Sequence, residues 1–229
     1  MERAHAVEGD RAAATGRAGR PGLRERKKTR TREALVEAAV RLTRERGFDA
    51  TTTAEIAEEA GVSQRTLFRY FPCKEDVLLS VQDGVDSAFR DELRERPADE
   101  PPLLALRRAF TASAAAVGEP VLSELLRTVP LYDRSPQLLA ARLRRGNEHM
   151  ELLARIIAER TGTDPRTDPR PRLVASAFGS AVHVAFDLHS RQDRNGPDEL
   201  VSLVEHTADT LVPALTTWHT AAHHRGRDA

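Results

Sequence analysis

Between Thr52 and Phe71 two short helical stretches meet through Gly61-Val62-Ser63, and that interruption constrains the fold more than any other feature of the chain. Thr52-Thr53-Ala54-Glu55 opens the first stretch as a capping box. In such a box a threonine hydroxyl takes a backbone N–H three residues on, and the glutamate there reaches back to the threonine amide. Ile56, Ala57 and Ala60 give this helix one apolar face. Gly61 can enter the left-handed region, Val62 can plug a core and Ser63 can cap a second helix. Gln64 to Tyr70 reads as that helix, with Leu67 and Phe71 turned inward. Two short helices joined by a glycine-containing turn, the second polar outside, form the helix-turn-helix arrangement.

The flanking sequence extends the helical pattern. Leu35, Ala38, Ala39 and Leu42 recur at steps of three and four, Gly47 closes that helix, and Phe48 is placed to pack back. Pro72 stops the Gln64–Tyr70 helix, and Cys73 to Asp76 opens a fourth that runs to about residue 96. After a linker at 97–102, amphipathic segments are expected near 103–117, 120–128, 136–160, 172–191 and 197–217. Gly118, Pro130, the 163–171 stretch and Asn195-Gly196-Pro197 separate them as turn chemistry. No alternating strand pattern or internal repeat interrupts this, and aromatic residues are only 4% of the chain. The expectation is an all-α protein: an N-terminal three-helix, helix-turn-helix DNA-binding domain over 24–73, and a C-terminal helical ligand-binding and dimerisation domain over 74–218. A disordered basic arm is expected at 1–23 and a frayed tail at 219–229.

Net charge is +0, yet its distribution is uneven. Residues 1–75 hold 16 Arg/Lys against 12 Asp/Glu, leaving 19 against 23 for the remainder, because the totals are 35 and 35. One end is therefore fitted to a polyanion. The basic run from Arg20 to Arg32, with Arg26 and Lys28 at its centre, is a candidate for phosphate or minor-groove contact. No segment approaches the ~18 uninterrupted apolar residues of a membrane span, and residues 1–22 are too polar for a secretory signal. The single cysteine, Cys73, allows no intramolecular disulfide, so a reducing cytoplasm is expected. Cys73 sits at a helix start beside Lys74, a setting that lowers thiol pKa.

A recognition helix lies in the major groove and offers its first side chains to base edges. Here these are Gln64, suited to adenine, and Arg65, suited to guanine. Thr66 and Phe68 are placed for a thymine methyl or a sugar, and Arg69 and Tyr70 for phosphates. Thr53 and Lys74 stand at helix starts, which attract phosphate, and Thr52 beside Thr53 is a further candidate for DNA contact. The run from Ala50 to Glu75, including Ile56-Ala57-Glu58-Glu59-Ala60-Gly61-Val62-Ser63 and Tyr70-Phe71-Pro72-Cys73-Lys74, resembles the DNA-binding domain of TetR-family regulators. The likeness spans about residues 30–79 without a gap. It implies a homodimeric regulator, usually a repressor, released from DNA by a ligand. It further implies base contacts from Gln64, Arg65, Thr66 and Phe68, and phosphate contacts from Thr53, Tyr70 and Lys74. Cys73 and Phe68 depart from the family's commoner Ser and Tyr. The C-terminal half is similar to a subgroup likened to acyl-CoA-binding regulators.

In the last two segments, Val174, Phe178, Ala181, Ala185 and Leu188 form one apolar stripe. Ala175, Gly179, Val182 and Phe186 form another. A helix apolar on two faces is buried on two sides. The second stripe, with Val204, Ala208 and Leu211 of the last helix, is assigned to a partner copy. Phe110, Tyr132, Met150 and Phe178 are candidate walls of an effector pocket, and His183 and Asp187 its candidate polar groups. Arg142, Arg144 and Arg145 read as a charged, solvated helix face, with binding of an anionic headgroup as the alternative. Neither metal-ligand spacing nor a phosphate loop or nucleophile elbow is visible, so no cofactor and no enzymatic activity are expected. The partners expected are double-stranded operator DNA, a second copy and a small-molecule effector, with no membrane. Two rival readings are an enzyme with an incidental helix-turn-helix and a DNA-binding protein without ligand control.

Overall fold

A computed structural model describes residues 23–191 and 196–216. The expected arm, apart from residue 23, and the expected tail at 219–229 lie outside the described residues. Eight helical elements are described: α1 (Leu23–Arg46), α2 (Thr53–Glu59), α3 (Gln64–Tyr70), α4 (Lys74–Glu95), α5 (Pro102–Tyr132), α6 (Pro136–Thr161), α7 (Arg170–Arg191) and α8 (Pro197–Thr216). No strand occurs among the described residues.

The capping box of α2 is formed: Glu55 N–H donates to Thr52 Oγ1 at 3.3 Å, and Thr52 N–H donates to Glu55 Oε2 at 2.8 Å. Gly61 adopts φ +67°, a left-handed turn that side chains with a Cβ resist. Ser63 caps α3 by accepting from Thr66 N–H at 3.2 Å. The basic stretch from Arg24 to Arg32 lies on the first turns of α1, so these charges ride on a helix.

The two segments expected around Gly118 form one element bent there, because Gly118 takes φ +79°. Beyond the bend α5 runs past Pro130 to Tyr132, where a turn was expected at Pro130. A proline inside a helix loses one hydrogen bond and crowds the preceding turn. Burial of Leu131 and Tyr132 directly after it offsets that cost.

Two apolar cores result. The first joins α1–α3 to Val77, Leu78 and Leu79 of α4, and also takes in Leu131, Tyr132, Leu138 and Ala141 from α5 and α6. It therefore does not stop at the boundary expected after residue 73. The second gathers Phe89 and Leu93 of α4 with α5–α8 around Phe178, Leu153 and Val204. One helix, α4, thus serves both cores. Arg160 fastens its far end, donating to the carbonyls of Arg96 at 2.7 Å and Pro97 at 2.6 Å.

Candidate nucleic-acid interface and sensing core

On α3, Leu67 is fully buried while Gln64, Arg65, Phe68 and Arg69 are exposed. Phe68 is 48% exposed, which sets it apart from the core aromatics. The polar side chains on this surface are already ordered. Gln64 Nε2 donates to Thr53 Oγ1 at 2.8 Å, and the Thr66 and Ser63 hydroxyls share a hydrogen bond at 2.9 Å. Arg69 lies 5.4 Å from the centre of the half-buried Tyr70 ring. Arg26 and Lys28 are exposed at the start of α1.

The Thr52 hydroxyl donates to Glu55 Oε2 at 2.6 Å, completing the cap expected of it. One residue assigned to phosphate needs correction. The Lys74 ammonium points inward, donating to the carbonyls of Phe48 at 2.7 Å and Thr51 at 2.8 Å, 4.0 Å from the centre of the Phe48 ring. It clamps the α1–α2 loop onto α4. The expected low thiol pKa at Cys73 is also reversed. Burial pushes it up to about 11, and the Glu75 and Asp76 carboxylates add to the rise. This favours the unreactive thiol over the thiolate.

Within the second core, Phe110 and Phe178 meet, joined by Phe89. Ring centres lie 6.0 Å apart for Phe89–Phe110, 5.8 Å for Phe89–Phe178 and 6.3 Å for Phe110–Phe178. Met150 packs against this core. Tyr132 does not join it. It is fully buried in the first core, with its hydroxyl 3.5 Å from the Leu78 carbonyl. His183 is exposed, and Asp187 pairs with Arg191 at 2.9 Å, so neither supplies polarity to the aromatic cluster.

That polarity comes from residues that, Arg145 apart, the sequence reading did not single out. A cavity of about 270 Å³ between α4 and α6 is lined by Asp83, Asp86, Arg90, Arg145, Glu148, His149 and Leu152. Arg145 donates to Asp76 and Asp83, and Gln82 donates to Asp86 at 2.8 Å. Arg90 Nη1 lies 2.9 Å from His149 Nδ1, and the His149 ring lies 5.9 Å from Phe89. Burial raises the Asp86 carboxyl to about 6. Burial, with the Arg90 charge second, lowers His149 to about 4. The available signal was the spacing of three and four between Asp83, Asp86 and Arg90, which puts them on one face of α4.

The stripe assigned to a partner faces inward instead. Ala175, Val204 and Ala208 are buried within the subunit, and Val182 and Phe186 pack against the same core. A Cβ on Gly179 would stand 2.8 Å from Met150 Sδ, so its smallness accommodates Met150. Leu211 is half-buried. The outward apolar side chains of α7 and α8 include Leu173 (64% exposed), Val184 (47%) and Leu215 (73%). Periodicity finds two apolar stripes, and the subunit's own core takes residues of both, including Phe178 and Ala185 of the first and Ala175 of the second.

Sequence comparison matches residues 35–81 to the family described as bacterial regulatory proteins, tetR family, and residues 100–216 to the MftR C-terminal domain. The HTH-type transcriptional regulator TcmR of Streptomyces glaucescens is 38% identical over 201 residues, covering 85% of this chain and 88% of the relative. Among solved structures, the fatty acid degradation regulator FadR from Bacillus halodurans superimposes with a TM-score of 0.54 at 21% identity, covering 81% of this chain and 96% of that one. SmeT, the repressor of the Stenotrophomonas maltophilia multidrug efflux pump SmeDEF, gives 0.53 at 22%, covering 81% and 91%. At these identities the structural likeness speaks to the fold. Among the described residues no helix is long and apolar enough to cross a membrane.

Proposed function

Because this chain belongs to the TetR family of bacterial transcriptional regulators, we propose that it is a homodimeric repressor, bound to a pseudo-palindromic operator and released by a small organic effector. The observation that carries the DNA reading is α3 itself. Leu67 anchors it while Gln64, Arg65, Phe68 and Arg69 are exposed. Gln64 and Arg65 contact bases, and Phe68 packs on a thymine methyl or a sugar. Arg69, Tyr70, Arg26 and Lys28 contact the backbone, setting register and orientation.

Dimerisation uses the outer surface of α7 and α8 through Leu173, Val184 and Leu215. The family reading and the exposure of these large side chains support it. Two-fold pairing sets the recognition helices about 34–36 Å apart, or a multiple of that, on successive turns of the duplex.

The effector enters along the α4–α6 seam. Its apolar body packs on Phe89, Phe110, Phe178 and Met150, and its polar end meets Asp86, Arg90 and His149. An acyl thioester is one member of this class. Entry there separates α4 from α6 and breaks the Arg145 bridges to Asp76 and Asp83. Since α4 also carries Val77–Leu79 of the first core, its tilt turns the recognition helix out of register. A ligand achieves this only through unequal affinity for the two states, roughly 5.5 kcal/mol for a shift from 1:99 to 99:1.

The test is selection of sites from a random duplex pool by purified protein at fixed salt. Enrichment of two inverted half-sites at constant spacing is expected. A bound pool without a common motif, both before and after refolding to remove co-purified ligand, would overturn the reading.

A further inference from the structure

The hydrogen bond from Gln64 to Thr53 crosses between the two helices of the DNA-binding motif. Thr53 is the first residue of α2 and half-buried; Gln64 is the first residue of α3 and exposed. A carboxamide has two N–H donors and a carbonyl acceptor. With Nε2 donating to Thr53 Oγ1 at 2.8 Å, one N–H and Oε1 remain free. Adenine asks for that donor–acceptor pair, through its N7 and its N6 amino group. A free glutamine side chain samples many rotamers and shows either polar end to the groove. The nearby hydroxyls do not compete for its amide. Thr66 is hydrogen-bonded with Ser63, and Thr52 donates to Glu55.

We propose that Thr53 is a positioning residue for sequence readout, holding the Gln64 carboxamide in the orientation that reads adenine. A side chain on α2 then helps fix the operator sequence without touching a base. This rests on the reading of Gln64 as a base contact.

Site selection with the full-length protein at one salt concentration tests it, comparing wild type with Thr53→Ala, Thr53→Val, Thr53→Ser, Gln64→Ala and the Thr53→Ala/Gln64→Ala pair. Thermal melts establish that each variant is folded. Thr53→Val keeps the side-chain shape should the smaller residue perturb α2. Wild type is expected to enrich adenine roughly tenfold at one position of each half-site, and Gln64→Ala to erase that preference. Thr53→Ala and Thr53→Val should reduce it several-fold at the same position only, Thr53→Ser should keep it, and Thr53→Ala should change nothing once Gln64 is absent. If Thr53→Ala instead weakens every sequence equally, does so in the Gln64→Ala background too and lowers the salt slope, Thr53 is a phosphate contact and the proposal falls. If Gln64→Ala leaves the base preference intact while a palindrome is still enriched, Gln64 reads no base there. The positioning role then falls with it, and the repressor reading stands.

Discussion

Replacing Lys74 with methionine separates two roles for one lysine. Methionine keeps the length of the side chain and its packing on Phe48, but removes the donor serving the Phe48 and Thr51 carbonyls. A hydrogen bond to a charged group contributes ~1.5–3 kcal/mol. Because the site is only partly buried, water can reach the freed carbonyls, and the lower end applies to each. The cation over the Phe48 ring adds about 0.5–1 kcal/mol. The total loss comes to about 3.5–4 kcal/mol, which in a chain of this size lowers Tm by roughly 7–16 °C. Urea denaturation should show a reduced midpoint with an unchanged slope. Operator affinity should then be measured against salt at a temperature where the variant is folded. Each lost phosphate contact lowers the slope by about 0.9, so a lysine occupied in clamping the loop leaves the slope unchanged. A variant of undiminished stability whose salt slope drops by about one per subunit would refute the clamp and restore Lys74 to the DNA backbone.

The seam, the core and the outer face each yield a further expected outcome. Asp86 titrates near 6 when folded against an ordinary 3.8, so the folded state holds the extra proton between these values and this group alone makes stability rise as pH falls from 6 to 4. His149 titrates near 4 against 6.5, so the unfolded state holds the extra proton and stability falls over the same interval. These two contributions should therefore largely offset each other from pH 6 to 4. Relative to wild type, His149→Phe should gain stability on acidification and Asp86→Asn should lose it, and equal slopes in all three proteins would refute these opposed shifts. Phe178→Ala should cost ~3–5 kcal/mol in chemical denaturation, since the side chain is 1% exposed, and a loss below 1 kcal/mol would show the cluster to be loosely packed. Leu173→Glu with Val184→Glu should yield a folded monomer by light scattering, with operator binding much weakened; an intact dimer would place the interface elsewhere.

The fold was legible wherever one rule decided the outcome. Thr52 with Glu55, Gly61 and Ser63 each act within four residues, and their geometry is set by local chemistry. Gly118 was legible for the same reason. Less of the site could be read, because facing is settled by what packs nearby. Ala175 and Leu173 belong to equally apolar helix turns, and only the arrival of α8 and Met150 decides which is covered. Lys74 looks like a surface cation until the Phe48 and Thr51 carbonyls, more than twenty residues earlier, are placed beside it. Asp86 and His149 are 63 positions apart, and no short-range pattern links them.

The sharing of α4 between two cores bears on how such regulators could be recombined. A fragment cut after residue 73 would leave behind Val77, Leu78, Leu79, Tyr132 and Leu138, all at or below 1% exposure and all packed with the reading head. The head is therefore not a detachable cassette. A chimera that places this specificity on a foreign sensor would have to import the first turns of α4, the end of α5 and the start of α6, or re-create their apolar surface in the recipient. Sequence-adjacent exchange at the Cys73–Lys74 junction would trade one marginal interior for two.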